Sequence, residues 1–94
     1  MSRSFTATIR KAPCPIHLTS AMPAKVWGSC NPPDKEPLIL LNSRLGDFNL
    51  MRTAIHEVIH RWDWDLKEEA VDELAEDISN VLTMLGYKRD SKAE

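Results

Sequence analysis

The chain is expected to fold as one α+β domain, a small, mainly antiparallel sheet packed on two helices. Two observations predict this. All six prolines fall in the first half, among short runs of alternating apolar and polar residues, and the second half carries apolar residues at helical spacing. From ninety-four residues one domain, 1–94, with a modest core is expected.

Residues 5–10 alternate, with β-branched Thr6, Thr8 and Ile9, as a half-buried strand does. Prolines then impose a meander. Residues 25–30 and 38–43 are short runs joined by Asn31-Pro32-Pro33-Asp34-Lys35-Glu36-Pro37, whose prolines cannot donate ladder hydrogen bonds and favour a turn. A β-hairpin is the expected result. From Asp47, a cap candidate, Leu50, Met51, Ala54, Ile55, Val58, Ile59 and Trp62 recur on one face of a helix that ends near Trp62. A second helix is expected with Asp65 or Lys67 at its cap. Val71, Leu74, Ala75, Ile78, Leu82 and Leu85 form its apolar stripe, Gly86 its stop, and residues 88–94 a frayed tail.

The composition, 43% hydrophobic and 28% charged, belongs to a folding chain rather than a disordered one. A net charge of -2 and a pI near 5.9 give no general attraction to nucleic acid or to anionic membrane. The N-terminus lacks the apolar run of a secretory signal, and the longest aliphatic run, residues 38–41, is far too short to span a bilayer. A cytoplasmic protein is therefore expected, without a membrane partner. Cys14 and Cys30 are expected as free thiols. Cys14 and His17 have the spacing of half a zinc site, but no second half accompanies them.

The chemistry lies in His56-Glu57-Val58-Ile59-His60. On a helix, residues four apart stand one above the other, so both imidazoles can reach one ion about 2 Å away. Both lie off the main apolar stripe, so they are poor core fillers. Glu57 lies where it can hydrogen-bond a water on that ion, the place for a general base. A catalytic zinc takes three protein ligands, and the third is expected from the second helix. From Glu68, the positions three, four and seven onward are Val71, Asp72 and Ala75, an inward-facing set. From Glu69 they are Asp72, Glu73 and Glu76, an acidic face suited to water. Glu68 is thus the expected ligand, with two alternatives open: Glu69, or a capping box in which Glu68 reaches back to an Asp65 cap. Asp72 could accept the free N–H of a ligating histidine and fix its tautomer. Zinc is expected, although two histidines and a carboxylate also suit other divalent ions such as iron.

These residues, with Glu68-Glu69-Ala70-Val71-Asp72-Glu73-Leu74-Ala75 as a glutamate helix, resemble small gluzincin-like metallopeptidases of phages and bacteria, related to the ImmA/IrrE and SprT-like proteins. Upstream, Val26-Trp27-Gly28-Ser29-Cys30 and residues 38–45 resemble the hairpin that precedes the active-site helix in short phage-encoded members. The resemblance covers about residues 25–87. It implies a zincin-like fold with zinc between the two helices and an edge strand above the cleft that could pair with an extended substrate. Two departures stand out: the gap from His60 to Glu68 is very short for a gluzincin, and no extra domain shapes the cleft.

Trp62 and Trp64 are expected to lock the corner between the helices, with an aromatic wall beside the site as the alternative. Asp63 is a weaker candidate ligand. His17 and Tyr87 have the chemistry to polarise a tetrahedral intermediate, but no spacing places them at the site, and Arg44 reads equally as a surface charge. The leading functional expectation is a zinc-dependent endopeptidase acting on a protein or peptide substrate. A non-catalytic, zinc-stapled interaction or regulatory module is the alternative. A nucleic-acid-associated factor is disfavoured by the acidic balance.

Overall fold

The computed structural model describes residues 2–87, so the expected frayed tail at 88–94 lies outside the described residues. The chain runs β1 (Ser2–Ile9), β2 (Ala12–Thr19), β3 (Gly28–Cys30), β4 (Ile39–Asn42), α1 (Asp47–Trp62) and α2 (Glu68–Met84). The four strands form one mixed sheet in the order β1-β2-β4-β3, and the domain is α+β as expected.

β1 and β2 form a hairpin, from Ser2 opposite Thr19 to Ile9 opposite Ala12. Its two-residue turn places Arg10 and Lys11 at φ of 54° and 65°, the left-handed pair that matches the twist of a tight hairpin. Neither residue favours that conformation. Arg10 is held there by donating a hydrogen bond of 2.7 Å to the Trp62 carbonyl, with its guanidinium 4.5 Å from the Trp62 ring centre. The turn thereby clamps the end of α1.

β2 replaces the expected meander. Pro13 and Pro15 share the strand parity of Thr19, whose carbonyl accepts from Ser43 N–H on the β4 side. Their missing N–H groups therefore face that side, where pairing with β4 begins only at Ile16. No ladder bond is lost. The chain then crosses to the far edge to make β3 and returns as β4 between β3 and β2. This makes β3–β4 the expected antiparallel hairpin and β2–β4 a parallel pair that the sequence did not announce.

Cys14, Ile16 and Leu18 alternate inward from β2 and meet Ile9, Ile39, Leu41 and Leu50 in the core, with Ala54 and Val58 of α1 packed against it. Cys14 and His17 fall on opposite faces of β2, which excludes a zinc half-site between them. Cys14 is in the core, while His17 pairs outside it with the hydroxyl of Ser4. Both cysteines are free.

The start of α1 differs from expectation, whereas α2 takes one of its two expected caps. Asp47 is the first helical residue rather than the cap, which falls to Gly46 with no side-chain bond, although its charge still suits the helix N-terminus. Lys67 caps α2, also without a side-chain bond, and Asp65 sits in the preceding turn with its N–H on Asp63 Oδ1. The α2 C-terminus closes as a Schellman motif. Gly86, at φ 94°, donates to Thr83 O, and Tyr87 N–H donates to Leu82 O.

Among the elements, α2 contacts α1 alone. One partner buries only one narrow strip, Val71, Ala75 and Ser79, and the expected stripe residues Leu74, Ile78 and Leu85 remain exposed. No helix among the described residues is long and apolar enough to cross a membrane.

Candidate metal centre

His56 and His60 stand one turn apart near the end of α1. The chain then reverses within a few residues: Asp63 N–H closes the helix on Ile59 O, and Leu66 N–H bonds Asp63 O. That tight corner delivers Glu68, the first residue of α2, opposite the last turns of α1, and so accommodates the short His60-to-Glu68 gap.

Three ligand atoms converge there. Glu68 Oε1 lies 2.7 Å from His56 Nε2 and 3.2 Å from His60 Nε2, and the two Nε2 atoms are 3.0 Å apart. Two donor atoms bound tetrahedrally to one zinc at about 2 Å lie about 3.3 Å from each other, so the triangle is close to one face of such a site. On the far side of the His56 ring, Nδ1 lies 2.9 Å from Asp72 Oδ1. The carboxylate can only accept, so Nδ1 carries a proton, and a ring that ligates through Nε2 turns that nitrogen's lone pair toward Glu68. A lone pair and a carboxylate oxygen at that separation need a cation or a proton between them. His56, His60 and Glu68 could therefore hold a metal ion.

Electrostatics separate the two glutamates. Burial pushes the Glu57 carboxyl above its ordinary value, against the lowering influence of His56 and His60, while the charge of Glu68 raises it further. For Glu68 desolvation is the largest single influence and acts to raise its carboxyl. It is outweighed by the hydrogen bond from His60 and the charges of His56 and His60, which hold its carboxyl below the ordinary range. One carboxylate is thus suited to ligation and the other to proton transfer.

Glu57 sits under β3, and Gly28 is what lets the strand approach. A Cβ on Gly28 would stand 2.7 Å from Thr53 Cγ2, 3.1 Å from Leu40 O and 3.3 Å from Glu57 Cγ. Glu57 reaches open space on two sides. One cavity, about 550 Å³, runs along Ser29 and Cys30 past His60, Trp64 and Glu68. The other, about 250 Å³, is lined by Lys25, Trp27, Arg52 and Asp72. Gly28, His56 and Glu57 line both.

The structure brings together His56, Glu57, His60, Glu68 and Asp72 as the sequence suggests. Glu69 is exposed and stands outside the ligand group, and Glu68 faces the histidines instead of an Asp65 cap. Asp63 is occupied as the C-cap of α1. Trp64 lies beside His60, with ring centres 5.9 Å apart, so it forms part of the wall of the site, while Trp62 is the platform for Arg10. Both indoles remain substantially exposed. His17, Tyr87 and Arg44 line neither cavity.

Sequence reasoning missed Gly28, Lys25, Arg52 and Asn42. Asn42, 1% exposed, donates through Nδ2 to Val26 O and Pro23 O and accepts the Arg44 N–H, which fixes the loop carrying Lys25 and Trp27. Nothing in the local spacing signals these roles, because apart from the Asn42–Arg44 bond each contact joins segments far apart in the chain. Compared with family models, curated proteins and solved structures, the chain matches none.

Proposed function

We propose that the chain is a zinc-dependent metallopeptidase of the zincin type, with His56, His60 and Glu68 as ligands and Glu57 as general base. The observation that carries the reading is the convergence of His56 Nε2, His60 Nε2 and Glu68 Oε1 beside a buried carboxylate that opens onto two cavities. Zinc in that position supplies a Lewis acid for a peptide carbonyl and lowers the pKa of a water toward ~7. Glu57 takes the proton of the attacking water and hands it to the leaving amine, a task favoured by its raised pKa. Asp72 holds the His56 ring in the ligating tautomer and orientation.

β3 supports a protein or peptide as substrate. Trp27 O and Asn31 N–H are bonded to β4, so by alternation the backbone groups of Gly28 and Cys30 face the outer edge, beside Glu57. An extended peptide can add there as a further strand, its carbonyl carried past the ligand group. Acidic composition continues to disfavour nucleic acid as the substrate.

A second reading has its own observation. Because α2 packs on α1 alone and buries only a narrow strip, an ion shared by the helices would staple α2 to the domain without any catalysis. One experiment separates the two. Wild type and Glu57→Gln are loaded with zinc, and cleavage of unfolded protein substrates is followed in both. The peptidase reading expects equal zinc content and loss of cleavage in Glu57→Gln. Equal cleavage by both proteins rules out Glu57 as base, and bound zinc without cleavage in the wild type leaves the staple.

A further inference from the structure

The smaller cavity has a chemistry of its own. It shares Gly28, His56 and Glu57 with the larger cavity and extends away from Glu68 to Lys25, Trp27 and Arg52. At about 250 Å³ it falls short of the roughly 300–1,000 Å³ of a cofactor or drug-sized site and suits a single residue. Arg52 stands with its guanidinium 5.4 Å from the Trp27 ring centre, and its Nη1 donates to Glu76 Oε1 at 3.2 Å. A guanidinium has five N–H donors, so this partly exposed pair leaves most of the fork available. Lys25 has no ion-pair partner among those found in the described residues. The loop that carries it is fixed by the Asn42 amide and by Val26 N–H on Pro23 O. The one further carboxylate in the wall, Asp72, is committed to His56 Nδ1.

We propose that this cavity binds a carboxylate of the substrate peptide, either an acidic side chain next to the scissile bond or the peptide's own C-terminus, between Lys25 and Arg52. The proposal rests on the peptidase reading and deepens it to a substrate class. Two cations in the wall of one cavity, one of them over the Trp27 ring, form a carboxylate clamp: Arg52 supplies directed N–H donors and Lys25 a mobile point charge. Neither cation belongs to the ligand group.

The test uses zinc-loaded Glu57→Gln protein, in which cleavage does not consume the ligand, and measures peptide binding by calorimetry. In one arm a peptide carries Glu, Gln or Lys at each position in turn; in the other its C-terminus is free or amidated. The carboxylate form is expected to bind about tenfold more tightly in one arm, which also tells side chain from terminus. Lys25→Met, on an exposed loop, and Arg52→Met should each remove most of that preference, and Lys25→Glu should turn it toward lysine. Equal affinities in both arms, or a preference that survives both methionine variants, would overturn the proposal. Failure of the peptidase reading looks different: the zinc-loaded wild type cleaves none of the peptides while the binding preference remains.

Discussion

His56 is held at both ring nitrogens, by Asp72 at Nδ1 and by Glu68 at Nε2. The Asp72 contact is therefore predicted to matter for metal affinity although Asp72 is not a ligand. Asp72→Asn keeps the shape but loses the charge and the fixed tautomer, and zinc affinity should fall about 10- to 100-fold. A competition titration against a chelator checks this; unchanged affinity would reduce Asp72 to surface charge. Cys30 gives a second prediction at this scale. Burial, followed by the charge of Glu57, pushes its thiol from 9.0 up to about 11. At pH 8 its alkylation should run about a hundredfold more slowly than that of a free cysteine, because only the thiolate reacts. The folded thiol binds its proton more tightly than the unfolded one. Its contribution to stability is thus complete below pH 9.0 and is lost as pH rises toward about 11. Alkylation of native protein at the rate of free cysteine would contradict the burial of the Cys30 side chain. Both histidines, Glu57 and Glu68 were legible because a four-residue helical repeat fixes geometry locally. Gly28, Lys25, Arg52 and Asn42 were not, since their roles exist only once β3 lies against α1.

Among the elements, the contact of β3 with α1 governs the site. Gly28→Ala places a methyl where Thr53 Cγ2 is 2.7 Å away and Glu57 Cγ 3.3 Å. The strand must lift, at a cost of about 1–3 kcal/mol, and Glu57 loses its roof. Chemical denaturation should report the destabilisation, and any cleavage activity should fall by more than the folded fraction does. A Gly28→Ala protein of full stability would show that the strand and helix do not meet this closely. The two helices and the β3–β4 hairpin were legible from apolar periodicity and from the proline-rich turn. β2 was not, because Pro13 and Pro15 read as strand breakers until both are seen to face the stretch of edge that β4 leaves unpaired. The stripe of α2 misled for another reason. Periodicity reports which residues share a face, not whether a neighbour covers it, and Leu74 and Ile78 share a face that is left open.

For the whole molecule, α1 is the hinge of the design: it packs on the sheet through one face and on α2 through another, with the ligand group at the second contact. Metal removal should therefore act unevenly. Zinc at a thousandfold excess over its Kd should add about 4 kcal/mol to stability. On chelation, hydrogen exchange should quicken in α2 well before it does in the sheet. Uniform loosening, or none, would mean that the ion does not bridge the helices.

Zinc binding by the ligand triad itself is tested most directly by calorimetric titration of zinc into the metal-free wild type, Glu68→Gln and Glu69→Gln. The expected result is one ion per chain in the wild type, an unchanged curve for Glu69→Gln and a loss of at least about tenfold in affinity for Glu68→Gln. Absence of stoichiometric zinc in the wild type, or equal affinity in Glu68→Gln, would contradict the ligand set of His56, His60 and Glu68.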